Sequence, residues 1–277
     1  MKPGAFDFLA AKTIAEAQAA LAVEGPSTML IAGGQSLLPM LSLRVAAPDF
    51  LIDIGGLEDL KESGKSATAI RLGALTTHAD AEDGKIPDTF HGLLPKVASR
   101  ISYRAVRNYG TIGGSVALAD PAADWPVCLM ALGAEVLVVT RDGVRSQAIG
   151  DLIRGQYTTS LLKDDIIVGF DIPPPDPRLR WGYFKVVRKS GAFANSIAIA
   201  VQRGGDGPVS VALGAAAARP FLLPTVAAQL QGGATSEDML RTAIAQDLAS
   251  QVSDADPYLT RLHTSTVLRA LREMRSR

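Results

Sequence analysis

The sequence predicts an α+β protein, on three observations. Its last third runs through three strand-like stretches, Tyr183 to Arg188, Ser196 to Gln202 and Val209 to Ala215, and then through three amphipathic helices, Thr225 to Leu230, Ser236 to Gln251 and Pro257 to Met274. Ahead of them stands Pro173-Pro174-Pro175, a run that neither a helix interior nor a central strand accepts, so a boundary is expected there. The remainder is built from short apolar runs closed by glycine turns. With 277 residues the chain can form one large domain or two to three small ones.

In chain order, Met29 to Ala32 reads as a short strand stopped by Gly33-Gly34. Ser36 is expected to cap a helical turn or two from Leu37 to Arg44, with Pro39 in the first turn, where its missing N–H costs little. Leu51 to Ile54 and Ala69 to Leu72 are further strands, with Gly55-Gly56 and Gly64 as turns. Thr77 and Asp80 have capping-box spacing, and His78 in the short helix they open is expected to be a solvated helix residue. A second double-glycine turn, Thr111-Ile-Gly-Gly-Ser115, follows. A helix starting at Pro121 would put Pro126 in its interior, so Asp124 is the expected N-cap of a helix reaching Leu132, in which Cys128 is a small core side chain. Glu135 to Thr140 and Asp165 to Ile172 are strands, and Gly204 to Gly207 form a hairpin loop between the last two strands of the final third.

Composition narrows the function. Lys plus Arg and Asp plus Glu number 28 each, so no bulk positive field exists to hold a phosphate backbone, and nucleic acid is not an expected partner. One cysteine, Cys128, excludes an internal disulfide and any multi-cysteine zinc or iron–sulfur site within the chain, and suits a reducing compartment. No apolar run nears the ~20 residues of a membrane span and no export signal opens the sequence, so a cytoplasmic protein is expected. GxGxxG, GxxxxGK[ST] and HExxH are absent, and His78, His91 and His263 are too scattered to predict a metal site.

What remains is the pair of strand-GG-Ser turns. Glycine pairs can turn successive N–H groups onto one anion, and a following helix start adds its own free N–H groups. Two such turns, each with a hydroxyl at Ser36 and Ser115, could grip the two phosphates of a dinucleotide outside the Rossmann rules.

Ala32-Gly-Gly-Gln-Ser36 and Thr111-Ile-Gly-Gly-Ser115, followed by Ala119-Asp-Pro-Ala-Ala-Asp124 and Ala131-Leu-Gly-Ala-Glu135, resemble the signature of the FAD-binding medium subunits of molybdenum hydroxylases. This is the group of carbon monoxide dehydrogenase and of the flavin domain of xanthine dehydrogenase. Arg107-Asn108, Gly155-Gln-Tyr-Thr-Thr159, Asp165-Ile-Ile-Val168 and the Lys185 to Ala194 segment match in order, so the resemblance covers nearly the whole chain.

The resemblance implies an FAD-binding domain of the vanillyl-alcohol-oxidase or PCMH type over residues 1–175, with subdomains at about 1–57 and 58–175. A C-terminal α+β domain, a three-stranded antiparallel sheet with helices, would follow over 176–277. Ile31, Ala32, Gly33, Gly34, Gln35, Ser36 and Leu37 would line one side of the FAD diphosphate. Thr111, Gly114, Ser115, Ala117 and Leu118 would line the other, with Gly114 and Ser115 as the cradle. Ala123 and Asp124 would meet the ribose or ribityl chain, Asp124 serving also as the N-cap. Ile166 and Ile167 would floor the adenine, and Phe193 could cover a flavin face. Lys185 matches a lysine close to the flavin ring, although a strand-edge lysine in water is the alternative. No catalytic residue and no metal ligand is assigned.

The resemblance further implies a FAD-carrying electron-transfer subunit, an oxidoreductase component. It would be fed by a small iron–sulfur subunit carrying 2Fe-2S clusters and would assemble with a large molybdopterin subunit into a dimer of heterotrimers. The alternative is a stand-alone FAD-dependent oxidoreductase of the same fold. Ala105, Leu118 and Ala192 replace polar residues common in the family and remove polar groups near the cofactor.

Overall fold

A computed structural model of the chain describes residues 2–23, 27–87, 90–233, 236–252 and 256–277. The N-terminal part is a three-stranded parallel sheet in the order β1-β3-β2, from β1 (Asp7–Ala10), β2 (Thr28–Ile31) and β3 (Phe50–Asp53). Helix α1 (Ile14–Ala22), capped by the Thr13 hydroxyl, crosses between β1 and β2 and buries Ala17 and Leu21 against Ile52. Helix α2 (Leu37–Ser42) leaves the first double-glycine turn. Ser36 precedes it but makes no side-chain cap bond, because its backbone already has helical angles (φ −102°, ψ −46°) instead of the extended ones a capping residue uses.

The middle of the chain forms a five-stranded antiparallel sheet in the order β4-β5-β10-β6-β7. Its strands are β4 (Gly64–Lys65), β5 (Ile70–Gly73), β6 (Glu135–Thr140), β7 (Gly143–Ala148) and β10 (Ile166–Ile172). Between β5 and β6 run five helices: α3 (His78–Glu82), α4 (Leu93–Ser99), α5 (Arg104–Arg107), α6 (Ile112–Leu118) and α7 (Asp124–Ala131). Helix α8 (Ile149–Leu152) and the short pair β8 (Ile153–Gly155) and β9 (Thr158–Thr159) lie between β7 and β10. The capping box at α3 is present in full, Thr77 and Asp80 each closing on the other.

Beyond the prolines, β11 (Arg180–Val187), β12 (Ala194–Gln202) and β13 (Val209–Gly214) pair antiparallel in order. The sheet has four strands, not three, because β14 (Phe221–Leu222) pairs with β13. Helices α9 (Pro224–Gln231), α10 (Glu237–Gln251) and α11 (Pro257–Arg275) cover one face of it with a core that includes Leu213, Ile244, Val267 and Leu271. The opposite face shares a core with the five-stranded sheet, and α7 is the helix between them. Trp125, Val127, Cys128 and Leu129 are fully buried there together with Trp181, Tyr183 and Ile199. Cys128 is therefore the core side chain its apolar neighbours imply, and burial pushes its thiol well above the ordinary range. No helix among the described residues is long and apolar enough to cross a membrane.

Two expectations on this framework are corrected. Helix α7 begins one residue earlier than the N-cap reading requires: Ala123 is the N-cap and Asp124 is the first helical residue, with Pro126 still in the first turn. His78 is not solvated. It is buried, and its Nδ1 accepts a hydrogen bond from the Trp125 indole N–H at 3.0 Å. The helix α3 is only five residues long, and α4, α5 and the second glycine turn close over it.

Candidate functional site

The first glycine turn is an open donor. The backbone N–H groups of Gly33, Gly34, Gln35, Ser36 and Leu37, five in succession, have no hydrogen-bond partner among the described residues, and the turn's first helical bond is Leu38 N–H to the Gly34 carbonyl at 2.9 Å. Gly34 lies in the left-handed region (φ +70°), which a residue with a β-carbon enters only at a cost. Gly33 is required for a different reason. A β-carbon there would fall 1.8 Å from the Tyr109 carbonyl oxygen, because the first turn packs directly on the backbone that leads into the second. An array of free N–H groups ending on a helix start is a seat for phosphate.

The second turn is built differently. Its donors are consumed: Ile112 N–H bonds the Thr76 carbonyl, Gly113 N–H the Ala74 carbonyl, Gly114 N–H the Thr111 hydroxyl, and Ser115 N–H the Thr111 carbonyl. Neither Gly113 nor Gly114 has positive φ, so the turn is a capped helix start and not a nest of converging donors. Gly113 is glycine because a β-carbon would fall 2.6 Å from the Ala74 carbonyl oxygen. What faces outward is Gly114, Ala117, half-buried Leu118 and the Ser115 hydroxyl, which has no partner in the chain among the described residues. Arg107 fixes the approach to this turn through a two-pronged bond to Glu82 and bonds to the carbonyls of Ile101 and Ser102.

Asp124 and Lys185, placed near the cofactor by resemblance, meet each other. Lys185 Nζ lies 2.7 Å from Asp124 Oδ2 and donates also to the Arg100 carbonyl at 3.2 Å, so it is not a strand-edge lysine in water. The Tyr183 hydroxyl donates to Asp124 Oδ1 at 2.7 Å. Burial together with the Asp124 charge pushes the Tyr183 phenol far up, so it stays a donor. At Asp124 burial raises the carboxyl and the Lys185 ammonium pulls against it. Sequence reasoning missed Tyr183, although its spacing of two from Lys185 on a strand puts both on one face.

Of the remaining residues, Ile166 and Ile167 are buried and belong to two different cores, so each offers the outside little more than an edge. Phe193 stands out in solvent beyond β11, in the turn that leads to β12. Ile31 ends β2 and Ala32 follows it into the first turn, and the Gln35 amide folds back onto the Gly33 carbonyl at 3.0 Å. Among the described residues no cluster of His, Cys, Asp and Glu could hold a metal ion.

The family described as the FAD binding domain in molybdopterin dehydrogenase matches residues 4–175. The chain belongs to this family. As a member of the FAD-binding medium subunits of molybdenum hydroxylases, it is similar across nearly all of its length to named relatives. The glyceraldehyde dehydrogenase medium chain of Sulfolobus acidocaldarius is 35% identical over 257 residues, 91% of this chain and 89% of that one. The carbon monoxide dehydrogenase medium chain of Afipia carboxidovorans is 30% identical over 290 aligned positions, covering 100% and 99%. A solved carbon monoxide dehydrogenase from Hydrogenophaga pseudoflava superposes with a TM-score of 0.93 at 30% identity, over 100% of this chain and 99% of that one. The two glycine turns thus sit in a FAD-binding subunit, and the donors left free on Gly33 to Leu37 fit the diphosphate of that cofactor.

Proposed function

We propose that this chain carries FAD for electron transfer inside a molybdenum hydroxylase complex. It receives electrons from a small iron–sulfur subunit and passes them to an external acceptor, while hydroxylation takes place on a large molybdopterin subunit. The observation that carries the reading is the run of five N–H groups on Gly33 to Leu37 that have no partner among the described residues, set by Gly33 directly against the backbone that leads into the second turn. In this reading those donors hold the diphosphate, the Ser115 hydroxyl closes on it from the other side, and the outward edges of Gly114, Ala117 and Leu118 line the path between them, with buried Thr111 holding Gly114 in place behind them. Ala123 and Asp124 border the ribityl chain. Lys185, held by Asp124, brings a positive charge toward the ring and so favours its reduced anion, with Phe193 free to swing over one face and Ile166 and Ile167 behind the adenine.

Bound FAD would supply a two-electron store that can give electrons away singly or in pairs. The chain's own residues supply position and charge. Residues 1–175 would form the two-part FAD unit of the PCMH type, divided near residue 57, and 176–277 the C-terminal unit. The assembly would be a heterotrimer doubled by two-fold symmetry in the cytoplasm. Support for partners comes from the lone buried cysteine, which leaves the chain without cluster ligands of its own, and from the medium-chain names of its relatives. The test is to purify the native complex and follow its blue flavin band after adding the hydroxylase substrate. Bleaching should need all three chains, and substrate turnover by this chain alone would point to an independent flavoenzyme instead.

A further inference from the structure

The chain as a whole is neutral, but its charge is not evenly spread around Lys185. Arg100, whose carbonyl accepts the Lys185 ammonium, has an exposed side chain. Arg188 and Lys189 follow the end of β11, about 10 Å along the strand direction from Lys185, and both are exposed. None of these three cations makes an ion pair or side-chain hydrogen bond with another described residue. Glu82 and Asp83 are engaged by Arg104 and Arg107, and Asp124 by Lys185.

The turn that carries Lys189 is held in place. Ala192 N–H bonds the Lys189 carbonyl at 3.1 Å, the Tyr103 hydroxyl donates to the Ser190 carbonyl at 3.2 Å, and Gly191 (φ +79°) lies flat on the Tyr103 ring. Two aromatic rings, Tyr103 on the segment after Arg100 and Phe193 in the turn after Lys189, stand in solvent, 58% and 63% exposed. The end of β11 with Arg188 and Lys189, the turn that follows it to Phe193, and the Arg100–Tyr103 segment on which that turn is pinned therefore form one rim, and the Arg100 carbonyl ties it to the buried Asp124–Lys185 pair.

We propose that this rim receives the electron acceptor, and that the acceptor is a small anionic redox molecule with a planar or polarisable body, drawn in by Arg100, Arg188 and Lys189 and seated against Tyr103 and Phe193. Unpaired charges at the mouth of a site raise the local concentration of opposite charge and speed its arrival, an effect that salt removes. The rim serves an acceptor only if the flavin sits beside Lys185, as in the function proposed above, so binding and electron transfer are read separately.

Binding is measured on the full chain with hexacyanocobaltate(III), a redox-inert trianion, by calorimetry at low ionic strength. The parent should bind it, Arg188→Gln with Lys189→Gln should bind it at least tenfold more weakly, and 0.5 M salt should erase the difference. Equal binding by parent and variant would overturn the proposal. Electron transfer is measured on the full chain with FAD added and photoreduced. Each reduced flavin anion gives two electrons to two ferricyanide ions, leaving oxidised flavin and two ferrocyanide ions, and one proton passes to solvent. The double substitution should slow this reoxidation at least tenfold and should leave equal or speed reoxidation by the trication hexaammineruthenium(III), which also takes one electron. Equal slowing with both acceptors would overturn the rim as a charge-selective entry. A chain that binds the cobalt anion yet retains no flavin would sink the flavin reading and leave the anion site standing.

Discussion

Lys185 Nζ and Asp124 Oδ2 stand 2.7 Å apart with both side chains buried, joining the sheet of the last third to the first turn of α7. Removing one partner of a buried pair strands the other charge, at a cost of about 3–5 kcal/mol. Lys185→Met alone and Asp124→Leu alone should therefore each lower stability by about that much in urea titrations. The double substitution should cost clearly less than their sum, since no charge is left unpaired. FAD affinity should fall in all three proteins. Additive stability losses would show that the pair is not coupled.

Gly33→Ala should abolish flavin retention, because its β-carbon would collide with the Tyr109 carbonyl, a backbone atom that cannot rotate away. Gly56→Ala is the control, since nothing lies within 4 Å of a β-carbon at Gly56. The ratio of flavin to protein absorbance after gel filtration reads the result, and normal flavin content in Gly33→Ala would refute the contact between the turns.

Thr111 and Ser115 should separate folding from binding. Thr111→Val removes the hydroxyl that caps Gly114 and should cost about 1 kcal/mol of stability. Ser115→Ala removes a hydroxyl with no partner among the described residues, so stability should hold within about 0.5 kcal/mol. FAD affinity should nevertheless drop by about 0.5–1.5 kcal/mol. Unchanged affinity in fluorescence titration of the Ser115→Ala protein with FAD would remove Ser115 from the site.

His78 gives a pH dependence with a definite sign. Burial, then the Arg107 charge, lowers its imidazole to about 4, against about 6.5 in an unfolded chain. Below pH 6.5 the unfolded chain takes up a proton that the folded chain refuses, so this contribution is complete above pH 6.5. It fades as pH falls toward 4, where the loss reaches about 3 kcal/mol. Urea midpoints of the parent should fall more steeply between pH 6.5 and 4 than those of His78→Asn, whose side-chain oxygen can still accept the Trp125 N–H. Parallel pH profiles would mean that His78 is not held neutral.

Several parts of this protein were readable from neighbours in sequence. The capping box of Thr77 and Asp80, Cys128 among apolar residues and the strand Glu135–Thr140 depend on interactions within a turn or on side-chain alternation, and they form as expected. Thr13 and Glu16 carry the same capping signature and open α1, a helix not anticipated above. The first glycine turn declared a possible anion seat for the same local reason. What only the tertiary structure decided involves residues far apart in the chain. The partners of Asp124 lie 59 and 61 positions away, and the Tyr109 carbonyl that makes Gly33 obligatory lies 76 positions away. Whether His78 meets water or Trp125, and whether the N–H groups of the second turn are free or already bonded to Ala74 and Thr76, depends on which backbone segment packs over them. Local sequence sets what a backbone segment can become, but burial and the filling of each donor and acceptor are settled only when distant segments meet, because an unpaired polar group costs nothing until water is excluded from it.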